Sequence, residues 1–169
     1  MPKPPAKPAA RVPLYLVSAC LAGRACRYDG TACPVPELKR LVEAGLALVV
    51  CPEELGGLPT PRPPVEIRQG RAMDRNGRDV TAQFEQGAEA VVALARARNI
   101  RRAILKERSP SCGCGLIYDG TFSRCLAAGD GITVAKLRRA GVIVCGESDY
   151  AVDPNFFSPG NFPDVFPPK

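Results

Sequence analysis

The chain has 169 residues, of which 23 are Lys or Arg, 17 are Asp or Glu and 8 are Cys, and it contains no His. The lack of His excludes Ser-His-Asp and Cys-His nucleophile systems, HExxH metalloproteases and zinc fingers that combine Cys with His. Any general base must therefore be Asp, Glu, Lys, Tyr or Cys. Any metal must be held by thiolate, carboxylate, hydroxyl or backbone oxygen.

The size and composition are those of one ordinary globular domain with its own hydrophobic core. We expect this domain at residues 14–151, between a Pro-rich tail at 1–13 and a Pro- and Phe-rich tail at 152–169. No apolar stretch is long enough to span a membrane, and the apolar run before Cys20 is shorter than a signal peptide requires. We therefore predict a cytoplasmic protein with no membrane partner. The net charge of +6 does not by itself require nucleic acid, and the oligomeric state stays open.

Short apolar runs alternate along the chain with patterns typical of helices. Buried strands are predicted at residues 14–17, 46–50, 103–105 and 142–144. Helices are predicted at residues 35–44, from Thr81 onward with that residue as the N-cap, and at 133–140. Strands that alternate with helices predict an α/β fold, here a three-layer, Rossmann-like domain with a mainly parallel sheet.

Three cysteines follow three of these strands. Cys20 and Cys51 come after the first and second strands, and Cys112 lies in the loop after the third. A single Cys is most often a small buried hydrophobic residue. However, open α/β sheets bind ligands beyond the carboxyl ends of their strands, so these thiols are expected to meet there. Without His, converging thiolates favour an iron–sulfur cluster or a Cys-rich zinc site, which acts as a Lewis acid if one coordination position stays open.

The spacing of the other five cysteines is less specific, because the chain has no CxxC pair. Each of them is more often structural than a ligand. Three remain candidates for a fourth ligand, which would close the site and favour a structural or redox role: Cys26, Cys114 and Cys145.

Two further segments carry polar side chains that suit a ligand. The RYDG segment forms a plain turn, or it places Tyr28 to stack on a planar ring to which Asp29 hydrogen-bonds. Arg62 stands between prolines in a stiff segment. There it reaches a ligand or pairs with a carboxylate such as Glu66.

Seven segments of the chain resemble a bacterial family long known as a domain of unknown function, whose members include the thiouracil desulfidases. Together they run in order through nearly the whole predicted domain. They are VSACL at 17–21, RYDG at 27–30, CPE at 51–53, GGLPTPR at 56–62, GRDVT at 77–81, LKERSPSCG at 105–113 and YDGTF at 118–122.

The resemblance implies a [4Fe–4S] cluster held by Cys20, Cys51 and Cys112, with the fourth iron open to the sulfur of a thiocarbonyl. It also implies a non-redox hydrolysis, in which water attacks the thiolated carbon and sulfur leaves as hydrosulfide. A soft iron paired with a soft sulfur is chemically reasonable.

The same resemblance assigns catalytic roles to two residues near the predicted ligands. Glu53, two residues after Cys51, is expected to activate the water or move its proton. Ser109 is expected to be a hydrogen-bond or proton partner. The predicted substrate-binding residues are Tyr28, Asp29, Arg62 and Ser111.

The sequence therefore predicts iron–sulfur-dependent desulfuration of 2-thiouracil or a related thiolated pyrimidine. One alternative is desulfuration of thiolated uridine in tRNA, which larger relatives with an extra domain carry out. The modest charge and the expected absence of such a domain favour the free base over tRNA. The other alternative is a non-catalytic, Cys-rich metal-binding module with four protein ligands.

Overall fold

A computed structural model describes residues 12–150, so the two predicted tails lie outside the described residues apart from residues 12 and 13. The strands in this part of the chain are β1 (Tyr15–Ser18), β2 (Ala47–Val50), β3 (Val65–Arg68), β4 (Arg71–Asp74), β5 (Arg102–Leu105), β6 (Leu116–Tyr118), β7 (Leu126–Ala128) and β8 (Ile143–Gly146). The helices are α1 (Pro36–Glu43), α2 (Pro52–Leu55), α3 (Thr81–Ala97) and α4 (Ile132–Arg139), and a 3-10 turn covers Ala19–Ala22.

Four of the strands form one parallel sheet in the order β2-β1-β5-β8. The chain moves from β1 to β2 on one side and later returns to the other side of β1 to add β5 and β8. This reversal creates a topological switch point between β1 and β5, where α/β proteins bind ligands at the carboxyl ends of the strands. The other four strands form two antiparallel hairpins, β3–β4 and β6–β7.

Alternate residues of the central strands build a separate core on each face of the parallel sheet. Tyr15 and Val17 pack on one face with helix α1, whereas Leu16 packs on the other face with α3 and α4. This alternation is the normal consequence of the two-residue period of a strand. The sheet therefore lies between two helical layers, which confirms the predicted three-layer α/β fold.

The four predicted core strands and three predicted helices are all present, with small shifts of their ends. The prediction that Thr81 is the N-cap is wrong, because Thr81 is the first residue of α3. The carboxylate of Asp79 instead accepts the Thr81 backbone N–H at 2.9 Å and its hydroxyl at 2.5 Å. The Thr81 hydroxyl oxygen accepts the Ala72 N–H at 2.9 Å and so ties strand β4 to the start of α3.

The short helix α2 and the two hairpins were not predicted from the sequence. Helix α2 has only four residues and each strand of the hairpins has three or four, so none of them carries a clear periodic signal. Within residues 12–150, no helix has both the length and the apolar character needed to cross a membrane.

Candidate metal centre

A cavity of about 590 Å³ opens at the carboxyl ends of β1, β2 and β5. Cys20 lies in the 3-10 turn directly after β1, Cys51 stands between β2 and α2, and Cys112 lies in the loop after β5. All three line this cavity, and Cys20 and Cys112 are buried. The structure thus brings together the three thiols that the strand order predicts at this edge.

A fourth thiol, that of Cys26, also lines the cavity. Its thiol interacts with those of Cys20 and Cys51, and its carbonyl oxygen accepts a weak bond from Cys51 Sγ at 3.9 Å. The two other candidates for a fourth ligand, Cys114 and Cys145, do not line this cavity. Cys114 Sγ instead lies 3.5 Å from the Val144 carbonyl oxygen and 2.9 Å from Arg138 Nη2.

The environment of the cavity thiols favours their neutral form in the absence of a cation. Burial raises the pKa of Cys112 to about 12. A hydrogen bond with the Cys20 thiol raises the pKa of Cys26 to about 11. The Cys26 thiol, and then burial, also raise the pKa of Cys51. At neutral pH these groups become thiolates only when a bound cation displaces their protons.

The donor set fits a cluster of several iron atoms. Among residues 12–150, no three Cys, Asp or Glu side chains converge closely enough to hold a single ion. The thiolate ligands of an iron–sulfur cluster bind different iron atoms and need not converge on one point. A large cavity lined by separate thiols therefore suits a cluster.

Glu53 reaches the cavity from the first turn of α2, two residues after Cys51. Its side chain is 13% exposed, and its Oε2 atom accepts a hydrogen bond from Arg62 Nε at 2.5 Å. A partly buried carboxylate held by a guanidinium has a defined position. The predicted base thus lies beside the predicted ligands with its orientation set by a neighbour.

Of the two alternatives for Arg62, the structure has the one in which it pairs with a carboxylate, but the partner is Glu53 and not Glu66, the example that the sequence suggested. Glu66 Oε2 instead accepts the backbone N–H groups of Gly120 and Phe122, each at 2.9 Å. This pair of bonds fastens the β6–β7 hairpin to strand β3. Arg62 lines the cavity, but most of its N–H groups bind protein atoms, so its predicted role in substrate binding has little support from the contacts.

The two predicted serines have different positions. Ser109 lines the cavity, and its Oγ atom accepts the backbone N–H groups of Ser111 at 3.1 Å and Cys112 at 3.0 Å. Ser111 is buried outside the cavity lining, and its hydroxyl lies 2.7 Å from that of Thr133. The contacts therefore support the predicted role of Ser109 more than that of Ser111.

Of the two predicted residues in the RYDG segment, only Tyr28 lines the cavity. Tyr28 is 42% exposed, and stacking of its ring on a planar ligand stays a prediction. Asp29 forms the predicted turn, because its Oδ1 atom accepts the N–H and the hydroxyl of Thr31. The Thr31 hydroxyl holds the pKa of the Asp29 carboxyl below its usual range.

Several residues around the cavity were not predicted. Ser18 Oγ accepts the Lys106 N–H at 2.8 Å and is also a hydrogen-bond partner of the Cys112 thiol. The Lys106 ammonium forms an ion pair with Glu147. Arg75 stacks over the Phe122 ring, 5.6 Å from its centroid, at the side of the cavity formed by the hairpins. Ser18, Lys106 and Phe122 lie in segments that resemble the family, and this was the only sign in the sequence that they belong to the site. Nothing in the sequence indicated Arg75.

Comparison with known proteins agrees with this site. The chain is 42% identical over 146 residues to the uncharacterized protein YbbK of Bacillus subtilis (strain 168), covering 80% of this chain and 97% of YbbK. Its structure superposes on that of the [4Fe-4S]-dependent thiouracil desulfidase TudS with a TM-score of 0.79 and 46% sequence identity, covering 83% of this chain and 94% of that one. The family model for 2-thiouracil desulfurase matches residues 15–149. The chain therefore belongs to the 2-thiouracil desulfurase family.

Proposed function

We propose that this protein converts 2-thiouracil, or a related thiolated pyrimidine, to its oxo form and releases hydrosulfide, using a [4Fe–4S] cluster held by Cys20, Cys51 and Cys112. The observation that carries the proposal is the meeting of these thiols with the Glu53 carboxylate and the Ser109 hydroxyl in one cavity. Membership of the desulfurase family and the likeness to TudS support both the reaction and the cofactor.

The bound cluster supplies a soft Lewis acid that attracts the sulfur and polarises the carbon–sulfur double bond. Water provides the oxygen of the product, so a carbon–oxygen bond forms and the carbon–sulfur bond breaks. The two protons of that water end on the departing sulfur, as hydrosulfide, and in solution. No electron is transferred, so the chain needs only groups that bind, orient and move protons.

The Glu53 carboxylate is the group placed to take a proton from water. Its Oε2 atom is engaged by Arg62, which leaves Oε1 as the oxygen able to accept that proton. The side chain is mostly shielded from solvent, so the proton is held near the site and can be passed to the leaving sulfur. One carboxylate is therefore enough to take the proton from water and to pass it to the leaving sulfur.

The Ser109 hydroxyl is arranged to donate a hydrogen bond. Two backbone N–H groups already bind its oxygen, so its hydrogen is the part left for a ligand in the cavity. A donor of this kind stabilises negative charge that develops on a reacting atom of the substrate. Ser109 therefore complements the base, Glu53.

The decisive experiment measures hydrosulfide release from 2-thiouracil by anaerobically reconstituted protein. Glu53→Gln should lower kcat by about 10²- to 10⁴-fold, the usual contribution of a general base, with the iron content and absorption spectrum unchanged. Glu54→Gln is the matched control. Glu54 does not line the cavity and pairs with Arg24 and Thr60, so this variant should stay close to wild type.

Parallel assays separate the alternative functions. We favour the free base because the cavity of about 590 Å³ falls within the roughly 300–1,000 Å³ typical of small-molecule sites. Release of hydrosulfide from thiolated tRNA but not from 2-thiouracil would show that the substrate is tRNA and not the free base. A cluster-containing protein that releases hydrosulfide from neither substrate, with Glu53→Gln indistinguishable from wild type, would favour the non-catalytic metal-binding module.

We also propose that the reaction takes place in the cytoplasm. The four cavity cysteines are free thiols, which persist in reducing compartments. Fractionation of cells that express the full chain, followed by immunoblotting, tests this location.

A further inference from the structure

Arg62 lies in the wall of the cavity, where three segments of the chain meet. Its side chain is only 4% exposed. Nε donates to Glu53 Oε2 at 2.5 Å, and Nη2 donates to the Cys26 carbonyl oxygen at 2.9 Å. Nη1 donates to Thr60 Oγ1 at 2.9 Å and to the Pro59 carbonyl oxygen at 3.2 Å. One guanidinium thus joins α2, the segment before Arg62 and the loop that follows Cys20.

The hydrogen-bonding capacity of this guanidinium is nearly exhausted by protein atoms. A guanidinium has five N–H groups in a rigid planar fork, and four of them are used in these contacts. The Arg62 backbone is also held, since its N–H donates to the Tyr28 carbonyl oxygen at 2.8 Å. Arg62 is therefore built to hold other groups of the protein in place.

Two of the groups it holds border the reacting centre of the proposed function. Glu53 is the proposed base. Cys26 O, besides accepting from Arg62, faces the thiol of the proposed ligand Cys51 at 3.9 Å. Because the planar guanidinium of Arg62 binds the Glu53 carboxylate and the Cys26 carbonyl oxygen, it fixes the distance and angle between them.

We propose that Arg62 is a positioning residue, which aims the Glu53 carboxylate at the substrate carbon and holds it in register with the loop bearing Cys26. This assignment rests on the proposed function and deepens it. It replaces direct contact of Arg62 with the substrate. Because displacements of about 1 Å can cost about 100-fold in rate, loss of the fork should act on kcat while substrate affinity is largely kept.

The test compares four forms of the reconstituted holoenzyme: wild type, Glu53→Gln, Arg62→Gln and the double variant. Arg62→Gln should lower kcat about 10- to 100-fold, with KM changed by less than about threefold and with unchanged iron content and absorption spectrum. If Arg62 acts through Glu53, the double variant should be no slower than Glu53→Gln alone. The assignment would be overturned if the double variant lost kcat by the product of the two single losses. It would also be overturned if Arg62→Gln raised KM and left kcat unchanged.

Two more variants keep the test decisive if Arg62→Gln folds poorly. Arg62→Lys keeps the buried positive charge but cannot form the same fork, so it should also lose most of kcat while retaining the cluster, and full activity would refute positioning by the fork. Arg24→Gln removes an exposed guanidinium that pairs with Glu54 and should behave as wild type. An inactive wild-type holoenzyme would refute the proposed function itself, whereas an active one with fully active Arg62 variants would refute only this assignment.

Discussion

Ser109 and Ser111, two residues apart, differ in what their hydroxyl groups can still bind. The oxygen of Ser109 accepts two backbone N–H groups and its hydrogen is available to the cavity. The hydroxyl of Ser111 is paired with that of Thr133, and both residues are almost fully buried. Two serines of the same loop therefore differ in their access to the cavity.

Substitution by Ala should therefore affect the two serines differently. Ser109→Ala should lower kcat, by about 10- to 100-fold if its hydrogen bond forms mainly in the transition state. Ser111→Ala should leave a buried hydroxyl of Thr133 without its partner and destabilise the fold by about 1–3 kcal/mol while kcat stays near wild type. Steady-state kinetics and urea unfolding of both variants measure this. Equal losses of kcat would show that Ser111 also serves the reaction.

At the scale of elements, a pair of glycines sets the position of α2, the short helix that carries Glu53. A Cβ atom on Gly56 would lie 1.9 Å from the Gln83 carbonyl oxygen, and one on Gly87 would lie 1.8 Å from the Pro52 carbonyl oxygen. Helices α2 and α3 therefore touch backbone to backbone. Helix α2 is too short to be stable alone, so its position is fixed by packing against the long, regular helix α3.

Gly87→Ala should push α2 away from α3 and displace Cys51 and Glu53 together. We expect a loss of about 1–3 kcal/mol in the free energy of unfolding, as for other overpacked sites, and a lower kcat with reduced iron binding. Gln86→Ala, on the exposed side of the same helix, is the control and should change neither. Urea unfolding and iron analysis check the prediction, which fails if Gly87→Ala keeps wild-type stability and iron content.

At the scale of the whole molecule, the proposed ligands come from three segments that only folding brings together. Cys20, Cys51 and Cys112 follow three different strands of one parallel sheet. A cluster that binds these thiols in the folded chain and not in the unfolded chain stabilises the fold by linkage. The cofactor and the sheet should therefore melt together.

Anaerobic reconstitution should raise Tm by about 5–10 °C. Ligand at about 100 times its Kd adds about 2.7 kcal/mol of stability, and 1 kcal/mol corresponds to about 2–4 °C in a chain of this size. The rise should vanish in Cys112→Ser and persist in Cys114→Ser, because Cys114 lies outside the cavity lining. Scanning calorimetry of both forms tests this. A rise lost in Cys114→Ser would identify that residue as a further ligand.

Local sequence pattern is sufficient to predict the layers of the fold and the edge of the sheet that carries the site. Buried runs such as residues 103–105 and the apolar stripe of α3 repeat with the periods of strand and helix, so local pattern is enough to identify them. The parallel order then places Cys20, Cys51 and Cys112 at one edge. The family resemblance added the type of cluster and the thiolated substrate, neither of which follows from periodicity.

Which side chains contact one another at that edge depends on the packing of the folded chain. Arg62 bonds Glu53 and not Glu66, the Asp79 carboxylate accepts the N–H of Thr81 at the start of α3, and Cys26 joins the cavity while Cys114 does not. Each outcome depends on loop paths that have no repeating pattern and on competition between nearby acceptors for one donor. Such choices are set by distances of a few tenths of an ångström between segments far apart in sequence, which the order of residues does not encode locally.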